Sequence, residues 1–191
     1  NVNRTVYQAF LAAVFMALGL LAPLGYFLSP FLLELVNAAP EVQVEALPYL
    51  RIMFVSSIGM LIFFMMSGAL RAAGDARTPL RFGVAMTAIN IVLNIVLIRG
   101  FGPIPAFGTM GAAMGTAIAS CLTAAAFLWL LFSGKSVVQF TRSMSFAPDW
   151  GIIRELFRFG LPTGFQGIVM NAAGLLLLRF IGSLEYSAEA Q

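Results

Sequence analysis

Residues 82–98 read FGVAMTAINIVLNIVLI, with Arg81 before them and Arg99 after. A helix needs roughly 20 residues to cross about 30 Å of hydrocarbon, and an apolar run closed by a charge at each end has that form. Lipid offers the backbone no water, so the run must be a helix that satisfies its own hydrogen bonds. A membrane strand is excluded, because the run is too long and does not alternate polar with apolar residues. On either side the same reading applies to Thr5 to Leu33, Ile52 to Leu70, Gly100 to Gly134 and Phe159 to Leu178, none of which holds a charge. The expectation is an all-α integral membrane chain with five transmembrane helices.

Composition agrees. Hydrophobic residues make up 60% and charged residues 10% of the chain, against roughly 45–50% and 25% in soluble domains. The net charge is +3, and its placement says more than its size. Arg4, Arg71, Arg77, Arg81, Lys135, Arg142, Arg154 and Arg158 fall in alternate connections, and only Arg51, Arg99 and Arg179 fall on the other side. Lys and Arg are retained on the cytoplasmic face, which assigns the first set of connections to the cytoplasm. Scattered basic anchors with no stacking surface exclude nucleic acid as a partner. The chain has no His, one Cys, no carboxylate inside any run and no phosphate-cradling glycine loop. Metal hydrolysis, acid–base catalysis and nucleotide hydrolysis lack their parts, so the expectation is no enzyme and no metal. Opening at Asn1 without Met and stopping at Gln191 after an apolar run suggest a piece of a longer chain.

Turn chemistry divides the chain further. Pro23 should kink or end the first helix, and Pro30 with Asn37-Ala38-Ala39-Pro40 should mark the outer connection. The second helix should start near Pro48 and break at Gly74-Asp75. Thr78 then offers an N-cap hydroxyl and Pro79 a first helical position. The third helix should end by Gly100 and the fourth span about Thr109 to Leu131. Ser133 to Asp149 reads as a polar linker, with Asp149 capping a short interfacial helix over Trp150 to Phe159. The fifth span should begin at Gly160-Leu161-Pro162.

Three features could carry function. Asn90 and Asn94, at i and i+4, share one face of an apolar helix. A lipid-facing amide is costly, so they either bond a neighbouring helix, worth roughly 0.6–2 kcal/mol, or line a substrate or proton pathway. Gln166 and Asn171 pose the same choice on the fifth span. Arg71, Asp75 and Arg77 form a cytoplasmic hairpin that anchors topology or gates through a changing pairing. Gly108, Gly111, Gly115 and Ala119 make a small-residue stripe for close helix packing.

In this order and spacing the motifs resemble the multidrug and toxic compound extrusion (MATE) family. Leu70-Arg71-Ala72-Ala73-Gly74-Asp75-Ala76-Arg77-Thr78-Pro79 is similar to its Leu-Arg-Gly-x-Gly-Asp-Thr-Arg-x-Pro segment. Asn90-Ile91-Val92-Leu93-Asn94 is similar to its Asn-x-x-Leu-Asn/Asp helix, and the Gly108 to Ser120 run to its Gly-x-x-Gly-Ala-Ala…Ala-Thr-x-x-Ser run. Phe159-Gly160-Leu161-Pro162-Thr163-Gly164-Phe165-Gln166 looks like the opening of its second half.

The resemblance implies twelve helices in two pseudo-symmetric lobes. Residues 1–134 would supply four transmembrane helices of the first lobe, 135–159 a cytoplasmic linker with an interfacial helix, and 160–191 the first helix of the second lobe. It implies a multi-pass protein of the cell (inner/plasma) membrane, monomeric when full length. Such proteins export cationic and amphiphilic compounds by alternating access, coupled to H⁺ or Na⁺ and using no other cofactor. Their partners are small-molecule substrates and the lipid bilayer. Carried over by position, Asn90 and Asn94 would line the first-lobe cavity, with Gln166 and Asn171 at the lobe interface. Where some members place a Glu in the seventh helix, this chain has Met170 or Asn171. Rival readings are a flippase for lipid-linked oligosaccharide or polysaccharide precursors and a non-transporting membrane scaffold. Flippase cavities tend to carry several Arg or Lys, and no cation lies deep in a run here.

Overall fold

The computed structural model describes residues 2–35, 40–134, 136–140 and 147–189, with side chains described from Asn3 to Gly174. Its elements are α1 (Val2–Phe15), a π-helical turn (Met16–Leu21), α2 (Ala22–Leu35), α3 (Pro40–Val55), α4 (Ser57–Ala72), α5 (Arg77–Arg99), α6 (Gly108–Phe132) and α7 (Trp150–Glu189). They fall into two units, Asn1–Ala147 and Pro148–Gln191. By length and apolar composition Asn3–Leu35, α5 and α6 can each cross a membrane, and α3 with α4, bent by 46°, makes a fourth span. The fifth expected run lies inside α7.

Pro23 does not end the first span, and Pro30, expected in the outer connection, lies inside α2. Proline lacks an N–H and its ring crowds the carbonyl four residues back, here that of Gly19. Gly19 sits in the π-helical turn, where the Ala22 N–H reaches back to the Ala17 carbonyl and the backbone is already wider. Such a turn inside an α-helix accommodates the proline without stopping it. Ahead of Pro30 the Ser29 hydroxyl donates to the Gly25 carbonyl. Asn37-Ala38-Ala39, read as part of that connection, lies outside the described residues.

The second span also departs from expectation. α3 begins at Pro40, Pro48 is interior to it, and the break comes at Ser56. There the Ile52 carbonyl accepts both the Ser56 N–H at 2.9 Å and the Ser56 hydroxyl at 2.6 Å. A hydroxyl bonding back onto the helix carbonyl bends the axis.

The reversal at the hairpin follows α4. Gly74 takes φ +90°, a left-handed conformation suited to glycine, while the Asp75 N–H donates to the Leu70 carbonyl at 2.8 Å. Asp75 rather than Thr78 caps the next helix: its Oδ1 accepts the Arg77 and Thr78 N–H groups at 3.1 and 3.0 Å. α5 therefore starts at Arg77, two residues before Pro79. At its far end α5 closes at Arg99, ahead of Gly100, and α6 falls within one residue of the expected Thr109 to Leu131.

The packed centre of the first unit is α6. Its Phe127 is fully buried, stacked on Phe82 of α5 at 4.1 Å and tilted against Phe63 of α4 at 5.8 Å. Met66, Leu70 and Leu131 complete this layer. The start of the expected linker joins it: Val138 and Phe140 are buried, and Phe140 meets Tyr7 edge-on at 5.2 Å and Phe10 at 5.8 Å. The Gln8 amide donates to the Ala147 carbonyl at 2.9 Å.

In the second unit Asp149 caps α7 as expected, accepting from the Gly151 and Ile152 N–H groups at 3.1 and 3.4 Å. The expected separation of an interfacial helix from a span at Gly160-Leu161-Pro162 is absent, because α7 runs unbroken through Pro162. Beside that proline the Thr163 hydroxyl takes the Phe159 carbonyl at 3.2 Å. That bond is one turn back from Thr163 itself; membrane helices carry prolines in their interiors because neighbouring groups and local adjustment take up the freed backbone.

Candidate functional site

The polar centre of the first unit lies between α5 and α6, where the helices come closest. A Cβ at Gly111 would stand 2.5 Å from the Leu97 carbonyl oxygen. One turn further along α6, Gly115 leaves the space that the Asn94 amide oxygen fills. Small residues thus bring the two backbones together, and at that separation a short amide spans the gap.

The hydrogen bonds run in one direction. Asn94 Nδ2 donates to Asn90 Oδ1 at 3.1 Å, and Asn90 Nδ2 donates to Thr116 Oγ1 at 3.1 Å. Thr116 Oγ1 in turn donates to the Ala112 carbonyl at 3.1 Å. The chain ends at Asn94 Oδ1, which is buried and has no partner among the described residues. An amide oxygen in that state lacks the hydrogen bond that would offset its burial. None of these three side chains titrates in the physiological range, so the site can orient dipoles but cannot itself carry a proton as a carboxylate would.

The structure therefore brings Asn90 and Asn94 together and adds Thr116, whose role as their partner sequence reading missed. The available signal was the position of Thr116 on the same small-residue stripe as Gly115. Gln166 and Asn171 lie exposed on α7, where Asn171 Nδ2 donates to its own helix at the Gly167 carbonyl, 2.8 Å away.

The hairpin residues take distinct positions. Arg71 Nε donates to the Ser67 carbonyl at 3.0 Å, and Arg77 is exposed. The Asp75 carboxyl is held below its ordinary value, first by the Thr78 side chain and then by the Thr78 backbone N–H. Two further polar ties went unread in the sequence. The Arg51 guanidinium lies 4.5 Å from the centre of the Tyr26 ring, and Thr109 Oγ1 donates to Glu45 Oε2 at 3.1 Å. Neither has a local pattern, since each joins residues far apart in the chain.

The family model described as MatE matches residues 1–96. The chain belongs to the MatE family. Probable multidrug resistance protein NorM of Geobacillus kaustophilus is 29% identical to it over 190 residues, covering 94% of this chain and 40% of the relative. Multidrug export protein MepA of Staphylococcus aureus is 30% identical over 133 residues, covering 70% of this chain and 28% of the relative. This MatE chain thus spans at most about two fifths of the length of these relatives. Two solved structures share its fold. An inward-facing multidrug resistance MATE family transporter superposes with TM-score 0.73 and 23% identity over 84% of this chain and 35% of that one. An outward-facing one superposes with TM-score 0.78 and 24% identity over 90% of this chain and 37% of that one.

Proposed function

We propose that this MatE chain is part of a secondary active exporter of cationic and amphiphilic compounds in the cell membrane, working by cation-coupled antiport and alternating access. The observation that carries the reading is the Asn94–Asn90–Thr116 relay set between two apolar spans, with a buried acceptor that has no partner among the described residues. Polar groups at such depth mark pathways when they are not fully matched to one another. Relatives named for multidrug resistance and export support the direction and breadth of transport.

In this reading Asn94 Oδ1 and Asn90 present amide dipoles to a cationic substrate, and Gln166 and Asn171 are further cavity-lining candidates. The coupling ion is H⁺ or Na⁺. Because amides and hydroxyls do not titrate, this site responds to a proton only through groups elsewhere in the protein, whereas its oxygens could ligate Na⁺ directly. Most of this chain superposes on transporters caught facing either way, and in alternating access two bodies of such a transporter rock about a fixed site.

Dye efflux from liposomes containing the full-length protein, under separate H⁺ and Na⁺ gradients, tests the proposal. Efflux driven by either gradient and reduced by Asn94→Leu supports it; no efflux under either gradient rejects it.

A further inference from the structure

The connection from α6 to α7 plays no part in the proposed site, yet its described residues, 136–140 and 147, are held at both ends. α6 stops where Gly134 turns the chain back with φ +70°. The Phe140 N–H then donates to the Leu131 carbonyl at 3.2 Å, one of the carbonyls that a helix end leaves open. The Phe140 ring is 4% exposed and meets Tyr7 of α1 edge-on, and Val138 is 1% exposed. Between them Gln139 donates its N–H to Asn3 Oδ1 at 3.3 Å and its Nε2 to the Gly134 carbonyl at 2.9 Å. At the other end the Ala147 carbonyl accepts from Gln8, a buried side chain of α1.

A tether between two moving bodies is expected to be polar, solvated and without fixed partners. This one buries a valine and an aromatic ring, and it bonds α1 at Asn3 and again at Gln8. Those two residues stand about 7.5 Å apart along the helix at 1.5 Å per residue, so the ties span its first two turns. Lifting the segment would expose the ring to water and take the Ala147 carbonyl from the Gln8 amide. It is built as part of the first unit, whose boundary falls after Ala147. Motion between bodies is absorbed by a few loop or element-terminal residues, and Pro148 and Asp149 alone stand between Ala147 and α7.

We infer that residues 136–140 and Ala147 form a strap that stays docked on α1 through the whole export cycle, and that the connection yields beyond it, at Pro148 and Asp149. The inference rests on the alternating-access reading, because it states which body the strap travels with.

The test bridges the strap to α1 in the full-length protein. Asn3→Cys and Gln139→Cys are combined with Cys121→Ala, in a background free of other cysteines, and joined by a short bis-methanethiosulfonate reagent. Dye efflux from liposomes under H⁺ and Na⁺ gradients is read before and after bridging. Each single-cysteine variant carrying the reagent is the control. Bridging should run to completion, and efflux should stay within about twofold of the unbridged rate, a barrier change of about 0.4 kcal/mol. Efflux that the bridge abolishes and the singly labelled variants keep overturns the inference while the export reading stands. A folded double variant that does not bridge overturns it as well. No efflux before bridging removes the export reading, and the inference with it.

Discussion

Gly115 of α6 leaves the space in which the amide oxygen of Asn94 on α5 sits, so the helix spacing and the polar relay depend on the same missing side chain. Gly115→Ala places a methyl group in that oxygen. We expect a loss of about 1–3 kcal/mol, the usual range for overpacking, read as a lower melting temperature of the full-length protein in detergent. Gly68→Ala is the control. It sits within α4 with nothing within 4 Å of the added carbon, so it should gain the roughly 0.5–1 kcal/mol that alanine holds over glycine in a helix.

Asn94→Leu should separate function from stability. It removes the donor to Asn90 Oδ1, and membrane helix hydrogen bonds average only about 0.6 kcal/mol. Abundance should therefore stay near the wild-type level while drug resistance conferred by the full-length protein falls. Unchanged resistance at equal abundance would assign the amide pair to packing alone.

The hairpin should weaken in acid, through Asp75. Its carboxyl is depressed below the ordinary 3.8 in the folded chain, chiefly by Thr78. A depressed carboxyl stabilises the fold fully above its unfolded pKa and loses that contribution as pH falls through the folded value. Between pH 5 and 3 the melting temperature should fall more steeply for the wild type than for Asp75→Asn. Equal slopes would mean that the cap contributes nothing in solution.

Phe127→Ala should be among the most damaging changes in the first unit. The ring is fully buried between Phe63 and Phe82, and its removal leaves a cavity with a typical cost of about 3–5 kcal/mol. A melting shift no larger than that of Phe64→Ala, whose ring is 58% exposed, would refute the layer as the packing centre.

What could be read from the sequence follows from which force decides each feature. The spans were legible because hydrocarbon punishes charge so heavily that Arg81 and Arg99 close the apolar run 82–98 within α5. The shared face of Asn90 and Asn94 follows from helix geometry alone. Prolines misled because rules learned in water overstate them: Pro23, Pro30, Pro48 and Pro162 all lie inside helices, where lipid leaves the backbone no alternative to its own bonds. The break at Ser56 was missed because an ordinary serine makes it, through one hydroxyl on the Ile52 carbonyl. Thr78-Pro79 looked like a helix start, yet Asp75, placed by the turn at Gly74, reaches the free N–H groups first. Thr116 was hidden because its partner lies 26 residues away.

The docking of Phe140 and Ala147 onto α1 bears on how the protein could be dissected. A reporter inserted just after Gly134, where composition alone would place the seam, would pry Val138 and Phe140 out of the aromatic cluster they share with Tyr7. Co-expression of two separately encoded halves is better cut behind Ala147, so that the first half keeps the contacts of Phe140 and Ala147 with α1.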